Sequence, residues 1–225
     1  MNYHYPKQIR IGSFSTSENE LKDLLKAWLA ISAAFGILIA NSFFSMEFYY
    51  ALIISSLSVG LGFLAHELSH KVIAQRYGHF AEFRAFNSML LLAIIMSFLG
   101  FIIIAPGAVM ISGPVGRRRN GKISAGGPAA SIVIAIIFFL LLFLQVRDIP
   151  QLLSIVHKAQ ANIMALPLNY SIPAVGFFIN AMIAAFNLLP FGIFDGRKIF
   201  EWNRIVYIVM CVIAFSLAVV SFIRV

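Results

Sequence analysis

Residues 48–70 read FYYALIISSLSVGLGFLAHELSH: an uncharged apolar run, Phe48–Ala65, that ends in His66, Glu67 and His70. A helix crosses the hydrocarbon of a bilayer with about 20 apolar residues, so the run predicts a membrane span with ionisable residues at its end. The pattern His-Glu-x-x-His puts His66 and His70 on one face of that helix, where two imidazole nitrogens can meet one ion. Glu67 lies about 100° around the helix and can act on a water at that ion without being a ligand. Burying a glutamate near hydrocarbon costs roughly 2–3 kcal/mol or more unless a charge offsets it, and a divalent cation is such an offset. Zinc suits the set, because it accepts imidazole and carboxylate, keeps an open tetrahedral position and lowers the pKa of a bound water towards about 7. The alternative is a group of interfacial polar residues at a helix end, with Lys71 reaching out to water.

Outward from this stretch the chain stays apolar. Of its 225 residues 60% are hydrophobic and only 12% charged, with a mean hydropathy of +0.90; a soluble globule averages about 45–50% and 25%. Further uncharged stretches run over Ala27–Met46, Ser88–Gly116, Ile123–Val146, Ala159–Phe194 and Ile205–Ile223. The expectation is an all-α polytopic membrane protein of about six membrane segments, five or six of them crossings. A polar N-terminal arm (1–24) precedes a single membrane-embedded domain (25–225), and the arm lacks the apolar core of a cleaved signal peptide. The lone Cys211 excludes a disulfide scaffold.

The net charge of +8 sits between apolar blocks, where it orients spans rather than binding nucleic acid. Lys7, Arg10, Lys22 and Lys26 precede the first span, Lys71, Arg76 and Arg84 follow the second, Arg117, Arg118, Arg119 and Lys122 precede the fourth, and Arg197, Lys198 and Arg204 follow the fifth. The N-terminus and the His66–His70 end of span two are therefore expected on the cytoplasmic side of the cell membrane. The third block is flanked by basic residues on both sides, and its purely apolar part, Leu90–Ala105, is short and runs into Pro106-Gly107. It reads as a re-entrant or membrane-embedded hairpin, with a full crossing as the alternative. After it, the Asn120-Gly121 turn signal suggests a small β-hairpin at the membrane surface, an irregular basic loop being the other reading. Pro128 of Ala125-Gly126-Gly127-Pro128 suits the first turn of the fourth helix, and the small residues permit close packing.

A third zinc ligand has few candidates. Glu18, Glu20 and Asp23 belong to the arm, Glu47 and Asp148 to the opposite side, leaving Glu82, Asp195 and Glu201. Asp195 ends the segment Asn187-Leu188-Leu189-Pro190-Phe191-Gly192-Ile193-Phe194-Asp195-Gly196, where proline and glycines break a helix and can turn a carboxylate back into the bundle. A plain turn or N-cap aspartate is the alternative. His66 lies roughly 27 Å along a helix starting at Phe48, so Asp195 reaches it only if spans two and five run the same way, as they do when block three does not cross. His4, His79 and His157 stand alone and read as ordinary surface histidines.

The two motifs together, His66/Glu67/His70 and Asn187/Pro190/Asp195/Gly196, resemble the site-2 protease family of intramembrane zinc metalloproteases, and Gly127-Pro128 with Ser131 resembles its third recurrent element. The resemblance covers roughly residues 48–203. Ser69, Gly192 and Arg197 stand where the family commonly has Gly, Pro and Gly. The resemblance implies one catalytic zinc held by His66, His70 and Asp195, with Glu67 as general base and acid. It implies cleavage in or near the transmembrane segment of a single-span, membrane-anchored regulatory protein. Asn187 is a candidate for binding the substrate backbone or the oxyanion, or else for a helix-packing hydrogen bond. A helical substrate must be extended before attack, and the embedded hairpin could supply an edge strand for it. The rival readings are a divalent-metal transporter, which would want ionisable residues on several spans, and another membrane zinc protease such as a prenyl-protein peptidase.

Overall fold

The computed structural model describes residues 8–12, 14–40, 45–102 and 106–223. A short antiparallel hairpin, β1 (Gln8–Ile11) and β2 (Phe14–Ser17), leads into α1 (Glu18–Ala40). Then α2 (Met46–Ser55), a π-helical turn (Ser56–Gly60) and α3 (Leu61–Arg76) run on as one continuous rod. Strand β3 (Ala81–Ala85), α4 (Asn87–Ser97) and β4 (Gly107–Ile111) follow, then the long α5 (Arg117–Val146), α6 (Ile149–Ala161), α7 (Leu168–Asn187), α8 (Asp195–Trp202) and α9 (Arg204–Val220). Four stretches are long and apolar enough to cross a membrane: α1, the rod Met46–Arg76, α5 and α7. The third and sixth apolar blocks give the shorter apolar helices α4 and α9.

The third block starts and ends at one place. Strands β3 and β4 pair antiparallel with Ala85 opposite Gly107, and the Phe86 N–H donates to the Pro106 carbonyl at 2.9 Å. Helix α4, with its 11 residues, spans only about 16 Å. The chain thus leaves the sheet and comes back to it; residues 103–105 of this block lie outside the described residues.

Two local expectations fail here. Asn120-Gly121 is not a turn but lies within the first turns of α5. Gly121 answers to packing, since a Cβ there would stand 2.1 Å from the Trp202 side chain of α8. The small two-stranded sheet expected between the second and fourth segments does form, but its strands are β3 and β4, on either side of α4. Pro128 is likewise not in a first turn: α5 begins at Arg117, and Pro128 lies inside it. It removes the backbone hydrogen bond to the Ser124 carbonyl.

The core forms where helices approach through small residues. A Cβ on Gly126 would meet the Ser69 carbonyl oxygen at 3.2 Å, so α5 lies directly on α3. The π turn is the joint with α1 and α7. Its wider geometry frees carbonyls, and the Ser56 oxygen accepts from Trp28 Nε1 at 3.1 Å while the Ser58 oxygen accepts from Asn180 Nδ2 at 3.3 Å.

Candidate metal centre

His66 and His70 sit one turn apart on α3, both buried, with their Nε2 atoms facing the start of α8. Asp195 is the first residue of α8 and also buried. Its Oδ2 lies 3.1 Å from His70 Nε2 and 3.7 Å from His66 Nε2. One donor atom from each of the three lies within 4.8 Å of the others. The C-terminal parts of the rod and of α7 thus reach one place, as the direction argument required. The expected break at Pro190 and Gly192 is present as an irregular segment between α7 and α8. Gly192 adopts a φ of 63°, open to glycine without strain. Gly196 closes the segment, because a Cβ there would stand 2.1 Å from the Leu188 carbonyl oxygen.

Each imidazole is oriented from α5, which runs antiparallel to α3. His66 Nδ1 is hydrogen-bonded to Ser131 Oγ at 2.9 Å, and His70 Nδ1 donates to the Ile123 carbonyl at 2.8 Å. Such contacts hold the ring and leave Nε2 as the lone-pair donor. Between them sits Gly127, where a Cβ would lie 2.3 Å from His70 Nε2 and 2.4 Å from His66 Nε2. The space in front of the two nitrogens thus exists because residue 127 has no side chain. Two neutral imidazoles and one carboxylate around such a space fit zinc. Lys198, one turn on from Asp195, stands 3.5 Å from its other oxygen, Oδ1.

Of the two other acids left open by the sequence, Glu82 pairs with Arg84 and Glu201 with Arg197, at 3.0 Å in the latter case. His79 and His157 do not join the cluster, and His4 lies outside the described residues. Glu67 is half-buried and lines a cavity of about 740 Å³ together with His66, His70 and Asp195. Asn187 lines the same cavity, and its Nδ2 donates back to the Ile183 carbonyl of its own helix at 2.9 Å. Pro190 lies exposed in the irregular segment.

The chain is 35% identical over 199 residues to a protein of Methanocaldococcus jannaschii named "Putative zinc metalloprotease", a match covering 88% of this chain and 91% of that protein. The chain belongs to this zinc metalloprotease family. The family name and the His66, His70 and Asp195 cluster together support zinc as its metal. No protein-family model and no solved structure matches the chain.

The sequence did not reveal the supporting residues Ile123, Lys198 and Asn120, the last of which lines the cavity. It also missed a buried ion pair between Glu20 and Lys71, both completely enclosed. The signal for the pair was present: a lysine directly after a buried histidine needs an acidic partner.

Proposed function

We propose that this family member is an intramembrane endopeptidase of the site-2 protease kind, with His66, His70 and Asp195 as zinc ligands and Glu67 as the catalytic acid and base. The observation that carries the reading is the meeting of Asp195 with the His66/His70 pair on the wall of a cavity that also holds Glu67. Zinc, when bound, supplies Lewis acidity for the scissile carbonyl and for a water nucleophile. Glu67 takes the proton of that water and passes it to the leaving amine nitrogen. Ser131 and the Ile123 carbonyl hold the imidazoles in place while this happens, and Asn187 offers its amide to the substrate backbone from the cavity wall.

The substrate is a single-span membrane-anchored regulatory protein, presented extended. In a helix its peptide groups are already bonded to one another. Strand β4 borders the cavity through Gly107, Ala108, Val109 and Ile111, and β3 covers only one of its edges. An extended segment added to the other edge would lie along the cavity wall. The apolar outer face of α5, with Ile137, Leu140, Leu141 and Leu144 exposed, suits contact with lipid. The distribution of Lys and Arg supports a cytoplasmic N-terminus and a site near the cytoplasmic face.

The test compares purified wild type with Glu67→Gln in detergent. Both should hold one zinc, and the variant should cleave a single-span test substrate about 10²–10⁴-fold more slowly. A variant that keeps zinc and cleaves at the wild-type rate would remove Glu67 from the mechanism.

A further inference from the structure

The sheet beside the cavity is closed along one edge by side chains. Cross-strand bonds from Ser112 N–H to the Phe80 carbonyl and from Phe86 N–H to the Pro106 carbonyl, both 2.9 Å, set the alternation of the ladder. With that register, Ala81 and Phe83 in β3 and Val109 and Ile111 in β4 turn their N–H and C=O groups away from the partner strand. On β4 both residues, Val109 and Ile111, line the cavity. On β3 two of these groups meet side chains instead of a third strand. The Phe83 N–H donates to Glu20 Oε1 at 2.9 Å, and the Ala81 carbonyl accepts from Gln75 Nε2 at 3.0 Å.

Both side chains are themselves held. Glu20 accepts from the Thr16 hydroxyl at 2.8 Å and pairs with Lys71, the residue next to His70. Gln75 grips the backbone of Ser15 in β2, accepting its N–H at 3.1 Å and donating to its carbonyl at 2.8 Å. A buried ion pair is seldom more stabilising than an apolar pair of the same shape. Here the carboxylate has a second task, as acceptor for a strand edge.

We infer that Glu20 and Gln75 are positioning residues for substrate binding: they occupy the outer edge of β3, so that a substrate strand pairs with β4 alone, in a register tied through Lys71 and Gln75 to the helix that carries His66 and His70. The inference rests on the strand-addition reading given above.

The test uses full-length protein, a single-span substrate, and zinc content measured alongside kcat and KM. Glu20→Gln with Lys71→Met keeps an acceptor oxygen for Phe83, whereas Glu20→Met with Lys71→Met does not; both lose the ion pair. The second pair should show a KM about fivefold above the first, the worth of one hydrogen bond, with equal kcat and equal zinc. Equal KM values, or a difference confined to kcat, would overturn the inference. Should these double variants fail to fold, Gln75→Leu at its half-buried site serves the same purpose: KM should rise with kcat and zinc held, and an unchanged KM overturns the proposal. Val109→Pro, which deletes an N–H of the open edge, separates the two readings. If it leaves KM unaltered, strand addition itself is wrong. If it raises KM while the β3-edge variants do not, strand addition stands and edge closure falls.

Discussion

Gly127 faces His70 with no room for a side chain: a Cβ would stand 2.3 Å from the His70 Nε2 atom, and at nearly the same distance from that of His66. The site is therefore bounded by a helix backbone on one side and by the ligands on the other. Gly127→Ala would put a methyl group into the space before the two Nε2 atoms. We expect zinc affinity to fall about 100-fold, the upper end of what disturbing the shell around a metal site costs, with α5 still helical because alanine favours helix over glycine. Zinc content after dialysis and far-UV circular dichroism check the two halves of this expectation.

Ser131 acts on the metal site through His66. Ser131→Ala removes the partner of His66 Nδ1, frees the ring to turn and lets the other tautomer form. Zinc affinity should drop about tenfold, measured by competition with a chelator, while Ser131→Thr, which keeps a hydroxyl, should lose less. Equal affinity in wild type and the alanine variant would show that Ile123 and packing suffice.

Gly196 sets the position of Asp195. An alanine there would collide with the Leu188 carbonyl oxygen, 2.1 Å from the new Cβ, and backbone cannot yield as a flexible side chain can. The segment between α7 and α8 must shift and carry Asp195 with it. Gly196→Ala should lower both zinc content and thermal stability, the latter by about 1–3 kcal/mol as for other overpacked sites. Normal zinc content in this variant would mean that the segment adapts without moving its carboxylate.

Gly62 and Asn180 form the contact between α3 and α7. A Cβ on Gly62 would lie 1.9 Å from Asn180 Oδ1, a buried atom without a hydrogen-bond partner among the described residues. Gly62→Ala alone should destabilise by about 1–3 kcal/mol. Combined with Asn180→Ala it should regain part of that loss, since the clash disappears, giving a non-additive cycle. Unfolding in detergent followed by the fluorescence of Trp28 and Trp202 provides the measurement.

Features resting on short-range periodicity or on scarcity were legible before any coordinates. His66, Glu67 and His70 declare themselves because helical spacing puts them together whatever the rest of the chain does. Asp195 stands out because acids are rare in this chain and the residues around it break a helix. The third apolar block is short, and its chain leaves the β3–β4 sheet and returns to it. Asn120-Gly121 and Pro128 misled because turn and first-turn preferences are weak local terms. In the folded chain Trp202 packs on Gly121, and the approach of α3 to α5 requires the small residues around Pro128. The partners Ser131 and Ile123, the empty space at Gly127 and the Glu20–Lys71 pair, whose members are 51 residues apart, depend on which helix faces are brought into contact. That choice is made by the packing of the whole bundle, because long-range contacts are set by complementary shape and by the need to satisfy buried polar groups, neither of which has a period in the sequence.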